Sequence, residues 1–228
     1  MEMQQPAEIK VSIIMPIRNT VNYIRECLES LVNQTMKEIE ILCMDAQSTD
    51  GTREILQEYA RKDNRVHIYD DTKGSTGYAN NYGMQIAKGE YLAIVEPDDF
   101  VALNMYEKLY QAAKANNADV VRADYKVFFG SDRREYIDKA IASSDEYEKI
   151  HCPVKEQQLF QNDMSTWAGI LSKELFTGGK VCHNETPGAA YQDNGFWFLT
   201  MAHAKRLYYL PVSGYRYRMD NPDSSIHN

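Results

Sequence analysis

Glu96, Asp98 and Asp99 stand within four residues, in the stretch GEYLAIVEPDDF that begins at Gly89. Like charges this close repel unless water or a cation sits among them. Hard carboxylate oxygens at this spacing suit Mg²⁺ or Mn²⁺, which take one or two carboxylates and complete their shell with water and substrate phosphates. Pro97 fixes its own φ and limits where its neighbours point. The alternative is an acidic turn in which Asp98 or Asp99 caps a helix beginning near Val101, or a split in which one aspartate caps and the other binds metal. Asp45 ends another apolar run just before AQSTDG. Its carboxylate there can accept hydrogen bonds from a base or ribose, or close an Asx-turn. In that loop Ser48, Thr49, Asp50 and Gly51 read as turn and cap residues. Asp193 lies in YQDNGFWF, among Tyr191, Phe196, Trp197 and Phe198. Aromatic neighbours would partly desolvate it and raise its proton affinity, as a general base requires, while helix N-capping is the other reading. The stretch KGSTGYANNYG has glycines at 74, 77 and 83 but neither P-loop nor GxGxxG spacing. Its N–H groups could face an anion at a helix start, and a plain tight turn is the simpler reading.

The elements that must position these groups alternate through the first half. Apolar runs predict strands over VSIIMP, EIEILCMD, RVHIYDD, EYLAIVE and DVVRADYKVFFG. Helical periodicity lies between them in NYIRECLESLVNQ, STDGTREILQEYARKD, STGYANNYGMQIAKG (closed by Gly89) and LNMYEKLYQAAKANNA. Strands separated by helices imply parallel pairing with right-handed crossovers. The expected fold is α/β, a Rossmann-like, mostly parallel central sheet with helices on both faces. Ligands in such folds bind beyond the carboxyl ends of the strands. That rule picks out Pro16 to Asn19, Asp45 to Ser48, Asp70 to Lys73 and Glu96 to Asp99. The second half is less regular. SDRREYIDKAIASSDEYEKIHCPVKEQQ reads as a polar surface segment, STWAGILSKELF as a short strand and a helical turn, and YQDNGFWFLTMAHAKRLYYLP as a helix and a strand. GYRYRMDNPDSSIHN reads as turn formers trailing off, and the lack of a closing element after Arg218 and Asp220 suggests a truncated chain.

The totals bound the function. A chain of 228 residues suits one domain, and 43% hydrophobic content is ordinary for a globular protein. A formal charge of −8 argues against a nucleic-acid partner, which needs clustered Lys and Arg. It leaves room for a nucleotide ligand neutralised by one cation and a few N–H groups. No run of eighteen apolar residues predicts a membrane span, and the opening MEMQQPAEIK lacks signal-peptide layout. The four cysteines and five histidines match no metal or redox spacing, so a reducing cytosol is the default compartment.

Four pieces in order then carry a family resemblance. VSIIMPIRNTVNYIRECLESLVNQT, IEILCMDAQSTDGTREIL, GSTGYANNYGMQIAKGEYLAIVEPDDF and YQDNGFWF resemble the first strand and Pro-x-x-Asn turn, the VDDGSTDGT region, the Asp-x-Asp strand with its preceding helix, and the base element of the family 2 glycosyltransferases. These are inverting enzymes of the GT-A fold, and the likeness covers about residues 10 to 220. The resemblance implies a single catalytic domain, with a nucleotide-sugar half over about 10–129 and an acceptor half over 130–220. It places base and ribose at Pro16, Ile17, Arg18, Asn19 and Asp45. It places the donor diphosphate and Mn²⁺ or Mg²⁺ at Glu96, Asp98 and Asp99, with Asp98 and Asp99 as metal ligands, and the catalytic base at Asp193. The implied donor is a nucleoside diphosphate sugar, most simply UDP-linked. The implied acceptor is a saccharide or lipid-linked saccharide, reached from the cytoplasm or the inner face of the membrane. Four positions depart from the pattern: Ala46 and Gln47 replace an aspartate and a glycine, Asn80 replaces an arginine, and Glu96 replaces an aspartate. A metal-dependent nucleotidyltransferase and a catalytically silent nucleotide-sugar-binding protein are the rival functions.

Overall fold

The computed structural model describes residues 8–130, 134–187 and 192–222. The first half runs β1 (Val11–Ile17), α1 (Ile24–Val32), β2 (Ile39–Asp45), α2 (Thr52–Lys62), β3 (Val66–Asp70), α3 (Thr76–Ile86), β4 (Tyr91–Ile94), β5 (Phe100–Val101) and α4 (Met105–Asn116). The second half adds β6 (Val120–Phe129), β7 (Glu135–Lys139), β8 (Ile150–His151), β9 (Gly169–Ser172), α5 (Gln192–His203) and β10 (Leu207–Arg218). The strands form one sheet in the order β3-β2-β1-β4-β9-β6-β10-β5, with β7 on β6 and β8 on β10. β3, β2, β1 and β4 are mutually parallel, and so are β6 and β10. The short strand β9 runs antiparallel between β4 and β6 and joins the two parallel blocks. From β1 the chain steps outward to β2 and β3, then returns to place β4 on the other side. That reversal opens a crevice beyond the carboxyl ends of β1 and β4.

Both faces of the sheet are covered, which is why its strands are written as continuous apolar runs. On β1, Val11, Ile13, Met15 and Ile17 face α1, α2 and α4, while Ile14 faces α3 and α5. In α1, Ile24, Cys27, Leu28 and Leu31 fall on one helical stripe and are fully buried. Each large aliphatic side chain so buried contributes about 2 kcal/mol.

Three expectations change. Helix α3 ends at Ile86 with Ala87 as its cap, so Gly89 does not close it. Gly89 instead packs on β1, where a Cβ would lie 2.5 Å from the Ser12 nitrogen. The polar segment after residue 130 contains β7, a fully exposed strand paired with β6. Residues Gly214 to Arg218 form the second half of β10 rather than trailing turns, and beyond an irregularity between Leu210 and Tyr215 they pair with β6 from Tyr125 to Phe128.

Candidate active site

The carboxyl ends of β1, β2 and β3 are laced together by short side chains. Asn19 adopts the left-handed conformation (φ 51°), and its N–H donates to Ser48 Oγ at 3.0 Å. Its Oδ1 accepts from the Thr49 N–H at 2.9 Å. The Thr20 N–H donates to Thr52 Oγ1, and the Val21 N–H to Asp50 Oδ2. Ser48, Thr49, Asp50 and Thr52 thus serve as a scaffold for the β1 turn. Asp45 is 1% exposed; its Oδ1 accepts from the Ser48 N–H and its Oδ2 from Arg53 Nη1 at 2.9 Å. Arg53 also reaches Asp70 at 2.7 Å and so ties the ends of β2 and β3. Pro16 and Ile17 are buried strand residues, so only their backbone can meet a ligand, and the Ile17 carbonyl already accepts from the Ala46 N–H. Arg18 and Asn19 are exposed, with the Arg18 guanidinium beside Gly74 in the loop before α3.

The N-terminus of α3 is filled from within the chain. Ser75 Oγ accepts from the Tyr78 N–H, and Gln192 Oε1 accepts from the Gly77 N–H at 2.5 Å. The anion reading of this glycine-containing turn therefore falls, since the N–H of Gly77 is occupied by a side chain. A Cβ on Gly77 would come 1.9 Å from the Asn184 carbonyl oxygen, so this close approach requires glycine.

The acidic loop after β4 is held by the last strand. The Tyr215 hydroxyl donates to Asp99 Oδ2 at 2.8 Å and accepts from the Glu96 N–H at 3.1 Å. Asp99 Oδ1 accepts from the Arg218 N–H at 2.7 Å. Arg218 Nε donates to the Asp98 carbonyl, and Asn221 Nδ2 donates to Asp98 Oδ2 at 2.7 Å. Neither Asp98 nor Asp99 caps a helix, because α4 begins at Met105 after Asn104. Asp99 is 1% exposed with both oxygens engaged, which makes it an anchor of the loop. Asp98 and Glu96 are only half-buried and line the opening.

The charges here are crowded. Burial, then the neighbouring Asp98 charge, holds the Asp99 carboxyl well above the ordinary carboxylate range. Glu96 is pushed up to about 8, first by burial and then by the charges of Asp98 and Asp193. Asp193, on the first turn of α5, is thus one of the charges that bear on the acidic loop. Asp193 itself is solvent-exposed, with its Oδ1 accepting from the Asn194 N–H at 3.0 Å. The aromatic enclosure expected around it does not form: Phe196 and Trp197 turn into the core, Phe198 points outward, and Tyr191 lies outside the described residues. Among the described residues, no three His, Cys, Asp or Glu side chains converge on a point where a metal ion could sit. Glu96 and Asp98 therefore offer part of a coordination shell, the kind that Mg²⁺ or Mn²⁺ completes with water and phosphate oxygens.

The Glycosyl transferase family 2 model matches residues 12–172, from β1 through β9. The chain belongs to glycosyl transferase family 2. It is 42% identical to the glycosyltransferase GlyG of Streptococcus pneumoniae serotype 4 over 127 residues, 55% of this chain and 42% of that protein. It is 31% identical to the glycosyltransferase EpsJ of Bacillus subtilis over 220 residues, 94% of this chain and 62% of that protein. Among solved structures, S. aureus TarS 1–349 in complex with UDP superposes with a TM-score of 0.76 at 21% identity, over 93% of this chain and 61% of that one. This likeness shows the GT-A fold. The chain spans between 30% and 62% of the length of the first three curated relatives.

Four residues that hold the candidate site were not singled out from sequence: Arg53, Tyr215, Arg218 and Asn221. Arg53 could have been suspected as a cation one helical turn past the β2 loop. The other three belong to a segment whose polar spacing hid its strand. Asn80, which replaces the pattern's arginine, is buried with its Oδ1 unpartnered. A cavity of about 600 Å³ opens away from the carboxylates, between α3 and the 173–185 segment. Phe176, Val181 and His183 line it, and it contains none of the acidic loop.

Proposed function

We propose that this chain carries the donor and acceptor sites of an inverting glycosyltransferase that moves a sugar from a nucleoside diphosphate sugar, UDP-linked, to a hydroxyl of a saccharide or lipid-linked saccharide. Residues 10–129 form the donor half and residues 130–220 the acceptor half. The reading is supported by one arrangement above all: Asp98 is held by Asn221 in the loop beyond the carboxyl end of β4, and the exposed Asp193 stands on the first turn of α5. An in-line displacement needs those two placements, with charge neutralised at the leaving group and a base on the opposite, acceptor side.

The turn from Pro16 to Asn19 presents its backbone groups and the exposed Arg18 to the base and ribose, and the buried Asp45 anchors the β2 loop beside it. Arg53 orients Asp45 through an ion pair at 2.9 Å. Glu96 and Asp98 would hold a Mn²⁺ or Mg²⁺ ion, with Asp99 fixing the loop that carries them. When bound, that ion neutralises charge growing on the departing diphosphate. Asp193 accepts the proton of the acceptor hydroxyl as that oxygen attacks C1. The C1–O bond to the diphosphate breaks, and its electron pair stays with the phosphate oxygen. The exposure of Asp193 suits this work, because it leaves the carboxylate reachable by an acceptor hydroxyl. TarS was solved in complex with UDP-GlcNAc, which supports the donor reading. Free thiols at Cys27, Cys43, Cys152 and Cys182 fit a reducing, cytoplasmic side for the reaction. Among the described residues no helix is long and apolar enough to cross a membrane.

The test is Asp193→Asn. UDP binding with Mn²⁺, followed by calorimetry, should be unchanged while transfer from UDP-sugar falls by at least about a hundredfold. Unchanged turnover would remove Asp193 from the mechanism. A wild-type chain that binds UDP-sugar yet neither transfers nor hydrolyses it would establish the silent, binding-only alternative.

A further inference from the structure

An aromatic stack lies beside the two carboxylate groups and has no part in the chemistry described so far. The Trp167 ring lies parallel to Tyr217, with centroids 5.0 Å apart and planes 6° apart. It also covers Tyr215 at 4.3 Å and meets the edge of Tyr125 at 4.8 Å. Tyr215 and Tyr217 are two residues apart on β10 and therefore share a face of the sheet. Trp167 enters from the segment just before β9. That segment is pinned by Arg122, a 3% exposed residue of β6. Its guanidinium donates to the Asp163 and Ser165 carbonyl oxygens and to Ser165 Oγ, and it lies 4.5 Å from the Trp197 ring of α5. The platform is thus fixed in place relative to the helix that carries Asp193.

One polar group on it is idle. The Tyr215 hydroxyl is spent on Asp99 and Glu96, but the Tyr217 hydroxyl has no hydrogen-bond partner among the described residues. Tyr217 and Trp167 are both half-buried. Tyr217 is held up to about 12 by burial and then by Asp99, Asp98, Glu96 and Asp193, the same charges that bound the cleft.

We propose that Trp167 and Tyr217 form the acceptor-binding surface of this site, and that its occupant is a neutral pyranoside. The C–H face of the sugar packs on the exposed part of the aromatic surface, and a ring hydroxyl accepts the idle Tyr217 O–H. A flat, rigid stack selects a ring over an open-chain alditol. The negative charges at Glu96, Asp98 and Asp193, on a chain of formal charge −8, act against a phosphate-rich acceptor. The assignment rests on the glycosyl-transfer reading and names its acceptor class.

The experiment is saturation-transfer NMR on the full chain with UDP and Mn²⁺ present. The probes are the methyl glycosides of glucose, galactose and N-acetylglucosamine, with ribitol 5-phosphate as the anionic open-chain comparison. UDP affinity is measured in parallel by calorimetry. The expected result is saturation of pyranoside C–H protons by the wild type, its loss in Trp167→Ala, and at least several-fold weaker binding in Tyr217→Phe, with UDP affinity constant throughout. Tyr217→Phe keeps the ring and the stack, so it carries the test should Trp167→Ala fail to fold. A wild type that binds UDP but takes no pyranoside, variants that bind pyranosides as wild type does, or preferential binding of ribitol 5-phosphate would each overturn the assignment while leaving the transfer reading intact. A wild type that binds no UDP overturns both.

Discussion

At the scale of single residues, two adjacent aspartates do different work. Asp98 reaches the opening of the cleft, whereas Asp99 spends both oxygens on Tyr215 and Arg218. Asp98→Ala should leave stability within about 1 kcal/mol, because it removes one half-exposed group. It should weaken Mn²⁺-dependent UDP binding by at least about tenfold, read by calorimetry. Tyr215→Phe should do the reverse. It strips a partner from the buried Asp99 and from the Glu96 N–H while keeping the ring that packs on Trp167. Leaving such groups unpaired costs about 1–3 kcal/mol each, measurable by urea unfolding. The sequence pattern placed the acidic cluster at a strand end but could not divide the roles. The partners that divide them lie more than 115 residues away, as the Tyr215–Asp99 separation of 116 shows.

At the scale of elements, legibility followed burial. β1, β2, β4 and the helices between them were readable because burial on both faces writes an unbroken apolar run for a strand and one stripe for a helix. β7 is exposed along its whole length and carries no such pattern. The second half of β10 was hidden for another reason. It holds Arg216, which donates to the nearby Ser213 and Tyr215 carbonyls, and the buried Arg218, whose contacts with the Asp98 carbonyl and Glu26 the local sequence does not contain. The N-terminal turns of α3 and α5 are a joint of the same kind, built on the absence of a side chain at Gly77 and on Gln192. Gly77→Ala should lower the melting temperature sharply, as overpacking against a backbone carbonyl costs about 1–3 kcal/mol or more. Gly195→Ala, in the same helix as Gln192, is its control. Nothing lies within 4 Å of a Cβ there, so replacing a helical glycine should stabilise by about 0.5–1 kcal/mol.

At the scale of the whole molecule, acid sensitivity has an identifiable contributor. His183 is 4% exposed, stacked on Phe196 with centroids 3.9 Å apart, and its Nε2 has no partner among the described residues. Burial lowers its pKa from 6.5 to about 3. Between those values the unfolded chain takes up a proton that the folded chain refuses, so stability is full above pH 6.5 and is lost progressively as the pH falls toward about 3. In His183→Phe that contribution is absent. Melting temperatures of the two proteins should therefore diverge in slope below pH 6.5, with the wild type falling faster. The other whole-molecule property is the order in which the cleft is completed. The acidic loop leaves β4 early in the chain, but Tyr215, Arg218 and Asn221 fasten it only once β10 has docked. A ribosome that has delivered the first hundred or so residues has made the carboxyl ends of β1, β2, β3 and β4 and none of the clasp. The acidic loop of a nascent chain therefore takes its final geometry late, when the last strand arrives.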